Sequence, residues 1–184
     1  NMVDAPVSGG SAAAKSGQLI VMLGGEDACC KRAEKIISTY AKTITIVGPN
    51  GHGQIAKLCN QICQTITISG IAEGLLFAKS MGADPSIVLS AIKNGMGGGP
   101  MMDLLGPKMV ATNYESVIEA RLHAKDVSIA HTATKDRCRI LPHLEIVNHH
   151  YRKLMEINLG NMDTSVIHKI IDETSSKHGK KSFG

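Results

Sequence analysis

A lysine and three amide side chains at helical spacing are the residues of this sequence best suited to chemistry. Lys57, Asn60, Gln61 and Gln64 follow one another at i, i+3, i+4 and i+7, so on an α-helix they share one face. Burial lowers the pKa of an ammonium group toward a working pH for proton transfer, and a neighbouring amide can hold a hydroxyl or carboxylate. The alternative is a lysine whose ammonium group extends from a buried helix into solvent, and the spacing leaves both open.

The segment that must position these side chains runs over residues 51–82. Nearly every residue of 62–78 is apolar or small, which is typical of a helix packed on every side. Gly70 and Gly74 reduce helix propensity in its interior, which indicates that another helix or a second subunit approaches closely there. A membrane span is excluded because polar and charged side chains leave no run of about 18 apolar residues. We predict one long central helix within a homodimer or homotetramer.

Strand and helix patterns alternate over the first 50 residues, whereas every later pattern is helical. The fold class is therefore mainly α, with residues 1–50 as the end of a larger α/β sheet and residues 51–184 as an all-helical domain. Pro107 is expected to break residues 101–110 into one or two helical turns. Strands are predicted at 2–3, 19–23 and 43–47, and helices at 11–15, 27–40, 84–94, 122–138, 143–158 and 163–174.

Two further motifs have both a chemical and an ordinary explanation. Ser8, Gly9 and Gly10 lie in the loop expected after the first strand, and such a turn lets backbone N–H groups approach an anion, although, taken alone, an ordinary turn is the simpler explanation. Lys125 and Asp126 are, by themselves, most simply a surface ion pair. The histidines lack the i, i+4 pairing with a carboxylate that zinc hydrolases use, so no metal site is predicted.

Composition excludes some classes of partner. The net charge of +4 is modest and part of the excess lies in Lys177, Lys180 and Lys181, while aromatic residues make up 3% and there is no Trp. Base-stacking platforms therefore have little to be built from, and nucleic acid is not an expected partner. Five cysteines without repeated spacing favour a reducing compartment, either the cytoplasm or the mitochondrial matrix. The first residues look like the middle of a longer protein.

Three motifs, taken together, resemble the β-hydroxyacid dehydrogenase family, which includes 3-hydroxyisobutyrate dehydrogenase and tartronate semialdehyde reductase. They are DAPVSGG at 4–10 followed by Gly17 and Gly24-Gly25, the G-x-G-x-x-x-K-x-x-N pattern at 51–60, and HAKD at 123–126. The order and spacing are similar to those of the family. No G-x-G-x-x-G segment is present, so the resemblance covers only the C-terminal part of a family member, entered near the last strand of its nucleotide-binding domain.

The resemblance implies a set of roles. Lys57 would be the general acid/base, and Asn60 would hold the substrate beside it. Gln61 stands where many members have a second Asn, which bears on substrate choice. Lys125 would lie against NAD or NADP, and a small carboxylic acid would bind through its carboxylate to Ser8, Gly9 and Gly10.

The implied reaction interconverts a short 3-hydroxy acid and its semialdehyde. The alternatives are reduction of 2-hydroxy-3-oxopropionate, oxidation of a four-carbon acid sugar or, in a different class, a non-catalytic oligomerisation module. The isolated fragment is expected to be inactive, because the main nucleotide-binding segment is missing from it.

Overall fold

The computed structural model describes residues 2–137 and 140–179. In these ranges the chain forms eight α-helices, one 3-10 helix and one small three-stranded sheet, which confirms the predicted mainly α fold. The residues group into two compact units, one ending at Gln61 and one beginning at Ile62. The elements are β1 (Val7–Ser8), α1 (Gly10–Lys15), β2 (Leu19–Gly24), α2 (Asp27–Ile37), β3 (Ala41–Gly48), α3 (His52–Ser80), α4 (Pro85–Ile92), α5 (Pro100–Val110), α6 (Ala120–Asp136), α7 (Pro142–Glu156), the 3-10 helix (Thr164–Val166) and α8 (Ile167–Gly179).

Strand β2 lies at the centre of the first unit. It pairs with β1 in antiparallel orientation, with Val7 opposite Val21, and with β3 in parallel orientation. Val21 and Leu23 lie two residues apart and therefore share one face of β2. They form an apolar core with Cys30 and Ile37 of α2.

The start of the sheet differs from the prediction that residues 2–3 end a strand and a loop follows. Residues 2–3 are not in a strand. Instead, Asp4 forms an isolated antiparallel bridge with Gly24, and the pairing continues into β1. The carbonyl group of Pro6 accepts a hydrogen bond from β2 at 3.0 Å, so the missing N–H of the proline does not interrupt the pairing.

The helix around Pro107 also differs from the prediction. Helix α5 is continuous from Pro100 to Val110 and contains Pro107 in its interior, so the expected break is wrong. A proline ring crowds the preceding residue, but that residue is Gly106, which has no side chain to clash. An ideal Cβ on Gly106 would lie 2.7 Å from Leu89, so the same glycine also allows α4 to pack closely against α5.

The last helix differs from the predicted range of 163–174, because a 3-10 helix covers Thr164–Val166 and α8 runs from Ile167 to Gly179. The other helix boundaries agree with the prediction to within a few residues. Helix α2 ends at Ile37 rather than at residue 40. Asp84 caps α4 as expected, because its Oδ1 accepts the backbone N–H of Ser86 at 2.7 Å. The predicted end of α6 at Cys138 lies outside the described residues, as do Lys180 and Lys181.

Helices α6, α7 and α8 pack as successive neighbours in the second unit, and the 3-10 helix contacts α5, α6 and α8. Asp163, immediately before the 3-10 helix, is fully buried. Its Oδ1 accepts the N–H and the hydroxyl of Ser165, and its Oδ2 accepts the N–H groups of Val117 and Ile118. Lys108 Nζ lies 3.9 Å from Oδ2. This carboxylate therefore joins the segment before α6 to the segment before α8.

The long helix α3 is unbroken from His52 to Ser80. Its buried positions at Thr65, Ile68, Ala72 and Leu75 recur every three or four residues, so burial is confined to one stripe. The opposite face, with Cys63, Gly70 and Phe77, is exposed in the single chain, so a helix packed on every side stays a prediction that requires a second subunit. Among the described helices, none combines the length and apolar character needed to cross a lipid bilayer.

A methyl group at Gly53 is expected to destabilise the first unit. An ideal Cβ on Gly53 would lie 2.5 Å from the carbonyl oxygen of Met22 and 2.6 Å from Asp4 Oδ2. Gly53→Ala should therefore lower the free energy of unfolding by about 1–3 kcal/mol, as overpacking does. Gln54→Ala, at the exposed neighbouring position, should change it by less than about 0.5 kcal/mol. Urea unfolding measures both, and a Gly53→Ala variant as stable as wild type would contradict the close approach.

Candidate active site

The first turns of α3 bring together three of the side chains predicted from the sequence. Lys57 and Asn60 are half-buried and Gln61 is 4% exposed. Asn60 Nδ2 donates a hydrogen bond to Gln61 Oε1 at 3.1 Å. Because Lys57 is three residues from Asn60 and four from Gln61, the three lie on one side of the helix. The arrangement places a partly buried lysine on the same side of the helix as two amides.

The Ser8-Gly9-Gly10 segment forms the turn between β1 and α1. Ser8 pairs with Ile20 in the sheet, while Gly9 and Gly10 adopt φ angles of 119° and 66°, a backbone region that favours glycine. A Cβ on Gly9 would also lie 2.5 Å from Ala13 Cβ. The first N–H groups of a helix have no acceptor within that helix, so this exposed turn is rich in donors.

Asp4 has a role that the sequence did not reveal. Its Oδ1 accepts the N–H of Gly51 at 2.6 Å and its Oδ2 accepts the N–H of Gln54 at 2.9 Å. Gly51 immediately precedes α3, which begins at His52, and Gln54 lies in its first turn. Asp4 therefore caps the helix that carries Lys57, although it lies almost fifty residues earlier in the chain. No local sequence pattern reports such a contact.

Lys125 lies on α6 in the second unit, in the surface ion pair that the sequence suggested. Its Nζ is 3.0 Å from Asp126 Oδ1, and 66% of the Lys125 side chain is exposed compared with 14% for Asp126. The ammonium group thus faces solvent beside a mostly buried carboxylate. An anionic or carbonyl group arriving from outside can reach it.

A buried polar network in the second unit was also missed at the sequence level. Thr164 Oγ1 lies 2.8 Å from His123 Nδ1 and 2.7 Å from the hydroxyl of Tyr151. Burial raises the pKa of the Tyr151 hydroxyl, although the hydrogen bond to Thr164 acts in the opposite direction. The network joins α6, α7 and the 3-10 helix within the core, so its role is structural. In the described ranges, no three His, Cys, Asp or Glu side chains are grouped so that they could hold a metal ion.

Comparison with known families identifies the class of protein. Residues 51–171 match the family model described as "NAD-binding of NADP-dependent 3-hydroxyisobutyrate dehydrogenase", and residues 1–48 match that of the "NAD binding domain of 6-phosphogluconate dehydrogenase". Both are nicotinamide-nucleotide domains of oxidoreductases, which confirms the predicted cofactor class. The chain belongs to the 3-hydroxyisobutyrate dehydrogenase family of NAD(P)-dependent 3-hydroxy acid dehydrogenases and reductases.

Individual relatives agree with this family. The chain is 36% identical over 140 residues to 2-hydroxy-3-oxopropionate reductase of Escherichia coli (strain K12), covering 76% of this chain and 48% of that protein. It is 32% identical over 165 residues to the probable 3-hydroxyisobutyrate dehydrogenase-like 1, mitochondrial, of Arabidopsis thaliana. This match covers 90% of this chain and 49% of that protein. The fold matches a crystal structure of 3-hydroxyisobutyrate dehydrogenase from Salmonella typhimurium with a TM-score of 0.83 at 23% identity. This match covers 92% of this chain and 60% of the chain in that crystal structure. The chain spans about half the length of these two curated relatives.

Proposed function

We propose that the full-length protein interconverts a short 3-hydroxy acid and its semialdehyde, with NAD or NADP as the hydride carrier. The observation that supports this best is the half-buried Lys57 beside the amides of Asn60 and Gln61 at the start of α3. A substrate similar to 3-hydroxyisobutyrate is the first candidate. 2-Hydroxy-3-oxopropionate and a four-carbon acid sugar are the alternatives, the former because a relative is named for it.

Lys57 would move the proton in this reaction. In the oxidative direction its amine takes the hydroxyl proton as the hydride leaves the same carbon, and in the reductive direction its ammonium returns a proton to the carbonyl oxygen. Asn60 would hold the reacting oxygen. Because one N–H of Asn60 is donated to Gln61, Gln61 would fix the orientation of the Asn60 amide, and the other N–H remains for the substrate.

The turn at Ser8, Gly9 and Gly10 would bind the substrate carboxylate. Its glycine φ angles and its place at the start of α1 suit a group of backbone N–H donors around an anion. With its carboxylate bound by these donors, a small acid would present its hydroxyl or carbonyl end to Lys57. This division of roles predicts that a substrate needs both a carboxylate and a hydroxyl or carbonyl group.

Lys125 would contact the cofactor. The solvent-facing ammonium group beside Asp126 fits an anionic or carbonyl group of an incoming dinucleotide. Bound NAD(P) would supply the hydride acceptor or donor. Lys125→Ala in the full-length protein is expected to raise the Kd for the cofactor, measured by fluorescence titration, and an unchanged Kd would contradict the proposed contact between Lys125 and the cofactor.

The test of this function is turnover by the full-length protein. We expect NAD(P)-dependent oxidation of at least one short 3-hydroxy acid and reduction of its semialdehyde, with 2-hydroxy acids as the control substrates. The measurement is the change in absorbance of the reduced cofactor. Absence of turnover with every 3-hydroxy acid, semialdehyde and acid sugar of the panel would contradict the proposal and favour a non-catalytic oligomerisation module.

We also propose that the protein is a homodimer or homotetramer in which the open face of α3 meets a second copy. Apart from the adjoining backbone of α3 and the two chain neighbours, ideal Cβ atoms on Gly70 and Gly74 would meet no described atom within 4 Å, and Phe77 on the same helix is 66% exposed. An apolar groove of about 360 Å³ lies beside these glycines and is lined by α3, α4 and α5. Gly74→Glu should give a monomer in light scattering, whereas Arg152→Ala, at an exposed position of α7, should not. A monomeric wild type would contradict the proposal.

A reducing compartment, the cytoplasm or the mitochondrial matrix, is the proposed location. Cys29, Cys30, Cys59 and Cys63 are free thiols in the described residues, which suits such a compartment. Fractionation of the source cells with an antibody against the chain tests it. Recovery from a secreted fraction would contradict it.

A further inference from the structure

We infer that Asp4 is a positioning residue for the acid/base: its carboxylate fixes the start of α3, and with it Lys57, relative to the strand that leads to Ser8, Gly9 and Gly10. The role assigned to Lys57 rests on the proposed function. The contacts of Asp4 do not depend on it.

The side chain of Asp4 fixes the helix. Both of its carboxylate oxygens are used, Oδ1 by the N–H of Gly51 at 2.6 Å and Oδ2 by the N–H of Gln54 at 2.9 Å. Donors in the first turn of a helix have no partner within the helix, and a negative charge at this end is favourable for the helix dipole. Lys57 follows Gln54 by three residues, so the anchored turn is the turn that precedes Lys57.

The main chain of Asp4 fixes the strand. Its N–H donates to the carbonyl of Gly24 at 2.9 Å, and its carbonyl accepts the N–H of Gly24 at 2.8 Å. Four residues further on, Ser8 pairs with Ile20 of the same strand β2. One residue thus sets the position of α3 through its carboxylate and of the Ser8 segment through its backbone.

Two glycines restrict what can occupy this position. An ideal Cβ on Gly24 would lie 2.7 Å from Asp4 Oδ1, and one on Gly53 would lie 2.6 Å from Asp4 Oδ2. The carboxylate therefore lies between two glycines, and the absence of a side chain on each of them leaves room for it. A longer side chain than that of aspartate has no room to bridge the same two N–H groups, and asparagine keeps the shape but loses one acceptor and the charge.

The first experiment compares kinetics of the full-length Asp4→Asn variant with wild type. We expect kcat to fall about 10- to 100-fold, because misplacement of a reacting group by about 1 Å can cost this much. The KM for the hydroxy acid should change less than about threefold, because β1 retains its own pairing to β2. The matched control is Ile37→Ala, which removes apolar contacts from the core of the same unit and should leave kcat within about twofold at a temperature where it stays folded.

The second experiment measures the cap without reference to activity. Hydrogen exchange of peptides covering 50–58 should be faster in Asp4→Asn than in wild type, while β3 peptides exchange at the wild-type rate. Should Asp4→Asn fail to fold, Asp4→Ser, which keeps one acceptor, serves for both measurements.

The outcomes separate this inference from the proposed function. Unchanged exchange in 50–58 overturns the cap, and faster exchange with an unchanged kcat overturns the positioning role. A wild-type protein that turns over no hydroxy acid overturns the proposed function and the catalytic part of this inference together, and it is recognised without any variant. Lower kcat, near-constant KM and faster exchange in the same variant support the inference.

Discussion

Lys57→Met in the full-length protein is expected to lower kcat by about 10²- to 10⁴-fold, the usual contribution of a positioned acid or base. Methionine is close to lysine in length and suits the half-buried position, so the substitution removes the ammonium group and little else. Steady-state kinetics with the hydroxy acid that the wild type turns over measures the effect. Fluorescence titration with the reduced cofactor should give a Kd close to that of wild type, because Lys57 acts on the substrate.

The matched control for this variant is Lys42→Met, at an exposed position of β3 in the same unit. Its kcat should stay within about twofold of wild type. If Lys57→Met kept more than about a tenth of the wild-type kcat, Lys57 would not be the acid/base.

Asp163→Asn is expected to produce the largest loss of stability, about 3–5 kcal/mol, which is the usual cost of removing one partner from a buried charged network. The carboxylate accepts hydrogen bonds from Val117, Ile118 and Ser165 and lies 3.9 Å from Lys108 Nζ. An amide at this position keeps one acceptor oxygen and turns two N–H donors toward groups that are themselves donors. Urea unfolding at neutral pH measures the loss.

The control for Asp163→Asn is Glu156→Gln. Glu156 is exposed, and its Oε1 lies 3.9 Å from Nη2 of Arg152 one turn away. Its replacement should therefore lower the free energy of unfolding by less than about 0.5 kcal/mol. A loss of similar size in both variants would contradict the role assigned to Asp163.

The effect of Asp163→Asn should also depend on pH. Burial by itself raises the pKa of the Asp163 carboxyl, but hydrogen bonds from Ser165, Val117 and Ile118 outweigh it and lower the pKa below the ordinary value. A lowered pKa in the folded state stabilises the protein above the unfolded value of about 3.9 and stops doing so as the pH falls through the folded value. The difference in stability between wild type and Asp163→Asn should therefore be constant near neutral pH and shrink in acid.

The fold class and the helices could be predicted because their signals are local. Asp84 before Pro85 is an N-cap before a proline, and both groups act within one turn. The prediction of a helix from residue 163 is similarly local, and Asp163 caps the 3-10 helix that precedes α8. Its contacts with Val117 and Ile118, by contrast, join residues about 45 positions apart. No periodicity in the sequence indicates such a contact.

The differences from the prediction have other causes. Pro107 is predicted to break its helix because proline usually does, but Gly106 before it removes one of the steric conflicts, the one with the preceding side chain. The helix α3 has an apolar composition all round, yet composition does not say how many neighbours one chain can supply. For the candidate site, the helical spacing of Lys57 with Asn60 and Gln61 was visible in the sequence, whereas the anchoring of their helix by Asp4 depends on tertiary contact.

The carboxylate of Asp4 and the glycines at 24 and 53 restrict one another sterically, because each glycine leaves less than 3 Å between an added methyl carbon and that carboxylate. These three positions therefore have to be inherited as a set. When this chain is recombined with a relative, a crossover between residues 5 and 52 is safe only if both parents carry the same three residues. Libraries that aim to change substrate preference should hold these positions constant and vary Gln61 instead.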